Sequence, residues 1–264
     1  MVVLITGASD GIGRAAAAKF AQQGHTVYGI SRTPADFPFM QHIAADIINY
    51  EGLKEAVDRI GPIDLLVACA GTSLASPADL TDMSDARYLY DVNFWGVVYV
   101  CSFVLKSMKS QKKGRIILIS SMTGLLPIPY LSYYSSSKAA MINYACALAA
   151  ELKPFHIPVS VMLPGGVRTQ FTDKRKKYCQ PPDITDDFFS LTEPGLRKSI
   201  NVLSHEEQTG LSAQQVADQI LRLSQKKHPR VIVPVGRIYR LYCLLLRFLP
   251  QRLTLWILRQ KYAQ

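Results

Sequence analysis

The chain has 264 residues, 48% of them hydrophobic, and a formal net charge of +10 at pH 7. This length fits one α/β domain with a sizeable core, and the composition excludes a disordered chain. We expect no signal peptide before the first glycine turn, and the five cysteines lack a Cys-x-x-Cys pair, which indicates reduced thiols in a cytoplasmic protein without a metal site.

Apolar runs alternate with helical patterns along the chain, which is typical of a doubly wound parallel sheet. The predicted strands are Val2–Ile5, Thr26–Ile30, His42–Ala45, Leu65–Ala68, Arg115–Ile119, Val159–Leu163 and Val231–Val233. Asp85–Met108 is predicted as one long helix, and Ser132–Lys153 as another that ends at Pro154. We therefore predict an α/β fold, with a Rossmann-like doubly wound parallel sheet in three layers and a single domain.

A glycine turn follows the first strand. The segment Thr6-Gly7-Ala8-Ser9-Asp10-Gly11-Ile12-Gly13 leads into an alanine-rich helical pattern. Glycines between a strand and a helix allow the backbone to approach a pyrophosphate closely at the helix N-terminus. The segment therefore predicts a dinucleotide site.

A serine, a tyrosine and a lysine lie close together in the middle of the chain. Tyr134 and Lys138 are four residues apart, so on a helix they share one face. A nearby positive charge lowers a phenol pKa that starts near ~10, which makes a proton donor and acceptor for neutral pH. Ser121 precedes Tyr134 by thirteen residues. A proton donor and acceptor of this kind needs a partner that gives or takes hydride, and the predicted dinucleotide site supplies one.

These motifs together resemble the short-chain dehydrogenase/reductase family, including its hydroxysteroid dehydrogenase-like members, from Val2 to about Val233. Further matches are Asp46 after the third strand, Asn93, and the segment Pro164-Gly165-Gly166-Val167-Arg168-Thr169. The family's Asn-Asn-Ala-Gly motif matches only in part, at Ala68-Cys69-Ala70-Gly71.

The resemblance implies a role for each catalytic residue. Tyr134 is the general acid and base, and Lys138 holds its charge and binds the nicotinamide ribose. Ser121 binds the substrate oxygen, with Ser120 as the alternative. Asn93 opens a helix backbone to a water that leads to the lysine, or else is a structural amide. The implied cofactor-binding residues are Thr6, Gly7, Ser9, Asp10, Gly11, Ile12, Gly13, Ser31, Arg32, Asp46, Ile47, Ala70, Gly71, Tyr134, Lys138, Pro164, Gly165, Val167 and Thr169.

The end of the second strand favours NADP(H) over NAD(H). An acidic residue there would bind the ribose diol of NAD, and this chain has Ser31 and Arg32 instead, which suit a 2′-phosphate. Arg32 as an ordinary surface arginine is the alternative. Asp10 in the glycine turn argues against NADP, since it could pair with Arg32.

Two segments concern the substrate side. By resemblance, a substrate lid lies at about residues 168–210 of a catalytic domain that spans residues 1–235. The lid contains the basic run Lys174-Arg175-Lys176-Lys177, which indicates either a solvated surface or recognition of an acidic substrate or carrier.

The tail, residues 236–264, is predicted to form two basic amphipathic helices that are separated at Pro250. Its uncharged runs are too short for a transmembrane span of ~20 residues. Two explanations remain open: an interfacial membrane anchor, or a cap on the substrate cleft or on a neighbouring subunit.

The helix at Ser132–Lys153 is apolar nearly all round and must be buried on more than one side. It packs on its own sheet, or it pairs with a second subunit as in the family, which predicts a homodimer or homotetramer. The net positive charge indicates either an ordinary soluble surface with an excess of lysine and arginine, or affinity for an acidic membrane surface or carrier protein. No recognition module for nucleic acid is present, so no nucleic-acid partner is expected.

We therefore expect an NADP(H)-dependent oxidoreductase that interconverts a ketone and a secondary alcohol without a metal. The apolar tail favours a lipophilic substrate such as a steroid, a bile acid or a lipid. The alternatives are a reductase of 3-oxoacyl thioesters on an acidic carrier, and a non-catalytic nucleotide-binding scaffold. The expected location is the cytoplasm, with peripheral membrane contact through the tail as a further option.

Overall fold

The computed structural model describes residues 1–34, 36–171, 175–177, 187–246 and 248–264, with the backbone alone for residues 176, 177 and 187–191. The strands are β1 Val2–Thr6, β2 Thr26–Ser31, β3 Gln41–Ala44, β4 Leu65–Ala68, β5 Leu74–Ala75, β6 Arg115–Ile119, β7 Val159–Pro164, β8 Val167–Arg168, β9 Lys176–Lys177, β10 Leu211–Ser212 and β11 Ile232–Val235. The helices are α1 Gly11–Gln22, α2 Tyr50–Ile60, α3 Met83–Tyr90, α4 Gly96–Gln111, α5 Ser132–Glu151, α6 Asp187–Thr209, α7 Ala213–Ser224, α8 Arg237–Leu245 and α9 Gln251–Tyr262.

Seven strands form one parallel sheet in the order β11-β7-β6-β4-β1-β2-β3. They correspond to the seven predicted strands, which confirms the predicted fold class. The central strands β4 and β7 are buried along their whole length, whereas the edge strand β3 is not. The strand order reverses between β1 and β4, and in such sheets ligands bind at this switch point, beyond the carboxyl ends of the strands.

Helices cover both faces of the sheet and give the predicted three layers. One core cluster contains residues of α2, α4 and α5, and the other contains residues of α1 and α7. A third, smaller cluster lies on the substrate side and includes Tyr134 of α5 together with Leu258 and Tyr262 of α9. The tail is therefore packed against the region that carries the predicted catalytic residues.

The long helix predicted at Asp85–Met108 is present as a continuous helix from Met83 to Gln111. Its middle, Asp91–Trp95, is a π-helical segment between α3 and α4, which the sequence pattern did not predict. Within the described ranges, this helix alone is long and apolar enough to cross a membrane by length and composition. Its residues Val97, Val100 and Val104 are buried in the core cluster that also contains residues of α2 and α5.

Candidate active site

A cleft of about 800 Å³ opens at the carboxyl ends of the strands, at the switch point. All of the predicted cofactor-binding residues line it, from the glycine turn through Asp46 and Gly71 to Thr169. Three of the four predicted catalytic residues, Ser121, Tyr134 and Lys138, line the same cleft. The structure therefore brings the two predicted sites together in one place.

The glycine turn forms a tight backbone cradle. Gly7 has a positive φ of +66°, and a Cβ there would lie 2.8 Å from the backbone nitrogen of Ala70. A Cβ on Gly13 would lie 2.2 Å from the carbonyl oxygen of Gly7. Asp10 caps α1 by accepting a hydrogen bond from the Gly11 nitrogen at 2.6 Å. Exposed backbone N–H groups at a helix N-terminus can bind a pyrophosphate. The residues of the glycine turn therefore fit a dinucleotide.

At the end of β2, Ser31 and Arg32 face the cleft. The Ser31 hydroxyl lies 2.6 Å from Nε2 of His42, whose pKa is lowered by burial. The Arg32 guanidinium donates to the Tyr88 hydroxyl, which holds the arginine beside the cleft. A hydroxyl and a guanidinium thus lie where the ribose of a bound dinucleotide would be recognised.

The structure distinguishes the two adjacent serines that follow β6. The Ser120 hydroxyl donates to the backbone oxygen of Lys138 at 2.8 Å, so it is engaged with the backbone of α5. The Ser121 hydroxyl accepts from the Thr123 nitrogen at 3.2 Å, and it is one of the groups that lower the pKa of the Tyr134 phenol. This arrangement favours Ser121 over Ser120 as the serine that contacts a substrate oxygen.

Tyr134 and Lys138 share one face at the beginning of α5, as their spacing predicts. The Lys138 ammonium lies 5.7 Å from the centre of the Tyr134 ring and donates to the Ile119 oxygen at 3.4 Å. Both residues are buried, with exposed fractions of 9% and 4%. The neighbouring Tyr133 hydroxyl instead donates to the Ala78 oxygen at 3.1 Å, outside this group.

The expected direction of the tyrosine pKa shift is wrong for this structure. Burial raises the pKa of Tyr134 to about 12, and the groups that lower it are Ser121 and Arg175 rather than the lysine. The cause is the apolar cluster around the phenol, to which Leu258 and Tyr262 of the tail contribute. Without a bound cofactor the phenol is therefore protonated at neutral pH.

Burial also lowers the pKa of the Lys138 ammonium to about 8. Its charge acts on the Cys69 thiol, although the sequence around this cysteine shows no cation. Burial nevertheless raises the pKa of Cys69 to about 12, so the thiol stays neutral and unreactive at pH 7.

Asn93 is fully buried in the π-helical segment and contacts two other parts of the chain. Its oxygen accepts from the Thr72 nitrogen at 2.8 Å, and its nitrogen donates to the Thr72 oxygen at 3.0 Å and to the Ser137 hydroxyl at 3.1 Å. These bonds fix the loop after β4 against the residue that precedes Lys138. The observed contacts are those of a structural amide, and a role in a water path stays a prediction.

The tail forms one wall of the cleft, as the second explanation for it predicts. Tyr239 packs directly on Gly165, where a Cβ would lie 1.8 Å from the tyrosine ring, and its hydroxyl accepts from the Gly166 nitrogen at 3.2 Å. On α9, the Tyr262 hydroxyl donates to Glu206 at 2.9 Å. The predicted boundary at residue 235 stays a prediction.

Several cleft residues were not predicted from the sequence. Arg175 belongs to the basic run that was interpreted as a solvated surface or as a site for an acidic partner, but it is only 5% exposed and pairs with Glu207. Phe171 lies 6.1 Å from Tyr134 between ring centres. Lys174 of the same run lies outside the described residues, as do residues 172–173 and 178–186 of the predicted lid.

Known proteins resemble this chain over most of its length. The profile of the family described as short chain dehydrogenase matches residues 1–180. The chain is 33% identical over 271 residues to 3-ketodihydrosphingosine reductase of Bacteroides thetaiotaomicron, covering 99% of this chain and 98% of that protein. It is 32% identical over 193 residues to 11-beta-hydroxysteroid dehydrogenase-like 2 of Arabidopsis thaliana, covering 67% of this chain and 62% of that protein.

Among solved structures, a short-chain dehydrogenase from Streptomyces avermitilis superposes with a TM-score of 0.80 at 25% identity, covering 97% of this chain and 96% of that one. These matches confirm the resemblance read from the sequence, including its hydroxysteroid dehydrogenase-like part. The chain belongs to the short-chain dehydrogenase/reductase family, whose members are oxidoreductases that act on CH–OH groups with a nicotinamide cofactor.

Proposed function

We propose that this protein is an NADP(H)-dependent reductase that interconverts a ketone and a secondary alcohol on a lipophilic substrate. The observation that carries the proposal is the single cleft in which the glycine cradle, Ser121, Tyr134 and Lys138 meet an apolar tail. The experiment that tests it is an absorbance assay of NADPH consumption against lipophilic and small ketones.

Each side chain of the site has its own role in the proposed reaction. A bound nicotinamide supplies or accepts the hydride. Ser121 holds the substrate oxygen by a hydrogen bond, and the protonated Tyr134 phenol gives that oxygen its proton as the ketone becomes an alcohol. Lys138 keeps a positive charge beside the phenol and so stabilises the phenolate that remains. The apolar cluster around Tyr134 excludes water from the reacting atoms.

The rate of ketone reduction should fall as the pH rises through about 8. Lys138 has a pKa lowered to about 8, so it is charged below this pH and neutral above it, whereas Tyr134 at about 12 keeps its proton throughout. Loss of the ammonium charge removes the stabilisation of the developing phenolate. A profile of kcat/KM between pH 6 and 10 measures this, and a flat profile would contradict the role of Lys138.

The matched variant for this profile is Lys138→Arg, because a guanidinium keeps its charge up to pH values above ~12. Any activity that this variant retains should lose the decline near pH 8. A decline that persists there in the variant would assign the titration to another group.

Arg32 carries the preference for NADP(H). A guanidinium beside the Ser31 hydroxyl suits a 2′-phosphate, and a hydrogen bond between charged groups contributes about 1.5–3 kcal/mol. Arg32→Glu should therefore lower the preference for NADPH over NADH by about 10- to 100-fold, as measured by kcat/KM for each cofactor. Arg59→Glu, on the exposed side of α2, is the control that should leave the preference unchanged; an unchanged preference in Arg32→Glu would contradict this assignment.

The lipophilic substrate is supported by the apolar lining of the substrate half of the cleft. Leu131, Phe171, Leu203 and Leu258 line it beside Tyr134. A relative that covers nearly the whole chain is named for a long-chain ketone, and another for a hydroxysteroid.

A 3-oxoacyl thioester on an acidic carrier remains the second candidate substrate, since the net charge of +10 suits an acidic partner. Activity that is confined to carrier-bound thioesters and lost at high salt would favour this candidate.

Several large apolar side chains of the tail are exposed, and we call them together the tail surface. It comprises the exposed residues Leu241, Leu244, Phe248, Leu253 and Trp256, with exposed fractions from 42% for Leu253 to 79% for Phe248. On the cleft side, Leu258 and Tyr262 of α9 are buried, and Tyr239 of α8 accepts a hydrogen bond from Gly166. Exposed apolar side chains next to a cleft for lipophilic substrates indicate a site that binds an apolar partner.

We assign that partner as an anionic lipid bilayer because of the charge of the tail. Residues 236–264 contain no aspartate or glutamate, and they hold more than half of the net charge of +10. Their basic residues are Arg237, Arg240, Arg247, Arg252, Arg259 and Lys261. Basic side chains next to apolar ones favour binding to the interface of an anionic membrane. The proposed location is therefore the cytoplasm, at the membrane surface.

The predicted homodimer or homotetramer remains a proposal that exposed residues of the π-helical segment and of α5 support. Trp95, at the end of the π-helical segment before α4, is 46% exposed, and the ring of Phe94 links it to Tyr144 on α5. Ala147 and Ala150 on α5 are also exposed. Small residues beside an exposed tryptophan would let the α5 helices of two subunits pack closely. The molar mass in solution, compared between the wild type and Trp95→Lys, tests this contact.

A further inference from the structure

Arg175 is a buried arginine in the wall of the cleft. The parallel pairing of β5 with β9 sets Leu74 opposite Lys176, and this register brings Arg175 beside Ser73. Nε of Arg175 donates to the Ser73 hydroxyl at 3.2 Å, and only 5% of the residue is exposed. A short pair of strands therefore carries a charged group into the interior of the site.

Two of the three guanidinium nitrogens have partners, and the third lacks one. Nη2 donates to the Glu207 carboxylate, and their side chains are 1% and 14% exposed. Nη1 is shielded from solvent and has no hydrogen-bond partner within the described part of the chain. A buried donor without a partner is costly, and such a group in a binding cleft indicates that a ligand supplies the acceptor.

The pair of Arg175 and Glu207 lies close to the reacting position. Both line the cleft together with Tyr134, and Leu74, the residue after the Ser73 that Arg175 contacts, packs in the same buried cluster as Tyr134. The arginine charge lowers the pKa of the Tyr134 phenol, and the glutamate charge raises it. An acceptor bound at Nη1 therefore belongs to the part of the substrate next to the carbonyl rather than to a distant end.

We propose that Nη1 of Arg175 donates a hydrogen bond to an uncharged oxygen, a hydroxyl or a carbonyl, that the substrate carries a few bonds from its reacting carbonyl. An uncharged acceptor suits this guanidinium because it already pairs with the Glu207 carboxylate. Arg175 is thus a specificity-determining residue, and the substrate class is a long-chain ketone with a second oxygen nearby. This inference rests on the proposed function and narrows it.

A pair of ketones tests the inference. 1-Hydroxyoctadecan-3-one carries the second oxygen, and octadecan-3-one lacks it. The wild type should prefer the hydroxylated ketone by about 10- to 100-fold in kcat/KM, the range expected for a hydrogen bond to a charged group. Arg175→Met should reduce this ratio to about one and leave NADPH affinity unchanged, whereas Arg222→Met, at an exposed arginine on α7 away from the cleft, should keep the wild-type ratio.

Removing Arg175 alone takes a cation away from the largely buried Glu207 carboxylate, which destabilises the fold. Arg175→Met/Glu207→Leu removes both charges, and its melting temperature and NADPH binding show whether the variant is folded. This double variant should also lose the preference for the hydroxylated ketone. A 3-oxoacyl thioester, whose second oxygen is a carbonyl, is the third substrate. If the double variant loses more kcat/KM on this thioester than on the hydroxylated ketone, the acceptor is a carbonyl, and the opposite result indicates a hydroxyl.

Equal kcat/KM of the wild type on the two ketones would overturn the inference while the proposed function stands. A preference that persists in both Arg175 variants would do the same. A loss of NADPH affinity in Arg175→Met with an unchanged ratio would make Arg175 a cofactor-binding residue instead. No turnover of any lipophilic ketone by the wild type would overturn the proposed function and this inference with it.

Discussion

Replacing Tyr134 by phenylalanine is expected to lower kcat about 100- to 10,000-fold, the range in which general acid and base catalysis contributes. The variant lacks only the hydroxyl that protonates the substrate oxygen. The ring stays in its apolar cluster, so stability and cofactor affinity should change little. Stopped assays of product formation measure the rate, and the quenching of protein fluorescence by NADPH measures the affinity.

The adjacent tyrosine is the control for this experiment. Tyr133→Phe removes a hydroxyl of the same kind one residue away, where it bonds to the Ala78 oxygen outside the catalytic group. It should retain kcat within about threefold, since a single exposed hydrogen bond contributes only about 0.5–1.5 kcal/mol and acts on stability. Similar losses in the two variants would refute the assignment of Tyr134 as the proton donor.

The second large effect is expected for the tail surface. Phe248→Ser/Trp256→Ser should lower binding to vesicles of phosphatidylglycerol about 100-fold or more, because burial of each aromatic side chain contributes about 1.5–3 kcal/mol. Both residues are exposed, with fractions of 79% and 58%, so the fold should be unaffected. Co-sedimentation with vesicles gives the partition coefficient, and activity on a small soluble ketone should be retained.

Met83→Ser/Tyr50→Ser is the matched control, because these side chains are 53% and 46% exposed on other parts of the molecule. Its vesicle binding should equal that of the wild type. Vesicles of neutral phosphatidylcholine should bind the wild type more weakly, since basic residues near an anionic surface contribute about 1 kcal/mol each. Equal binding of the wild type and the tail variant would exclude the tail surface as the membrane contact.

The sequence was informative wherever a local pattern determines the structure. The central strands read as continuous apolar runs because helices cover both faces, and β7 is buried throughout. The spacing of Tyr134 and Lys138 placed them on one helix face, and the glycines identified the cradle. The two helices of the tail and their break at Pro250 followed from amphipathic patterns in the same way.

Features that depend on distant contacts were missed. Arg175 looked like part of a solvated basic run, since its partner Ser73 is 102 residues away and Glu207 is 32 residues away. The pKa of Tyr134 shifted against expectation because residues from distant parts of the chain bury the phenol in one apolar cluster, and Lys138 is not among the groups that lower this pKa. The two-residue strands β5 and β9 are too short for any periodicity to reveal.

The most direct test of the proposed function is NADPH consumption by the purified wild type on 3-ketodihydrosphingosine, a steroid ketone, a 3-oxoacyl thioester and butanone, with NADH in parallel. We predict turnover of a lipophilic ketone with NADPH, little with NADH, and none above background in Tyr134→Phe. Tight NADPH binding without turnover of any of these substrates would contradict the proposal and favour a nucleotide-binding scaffold.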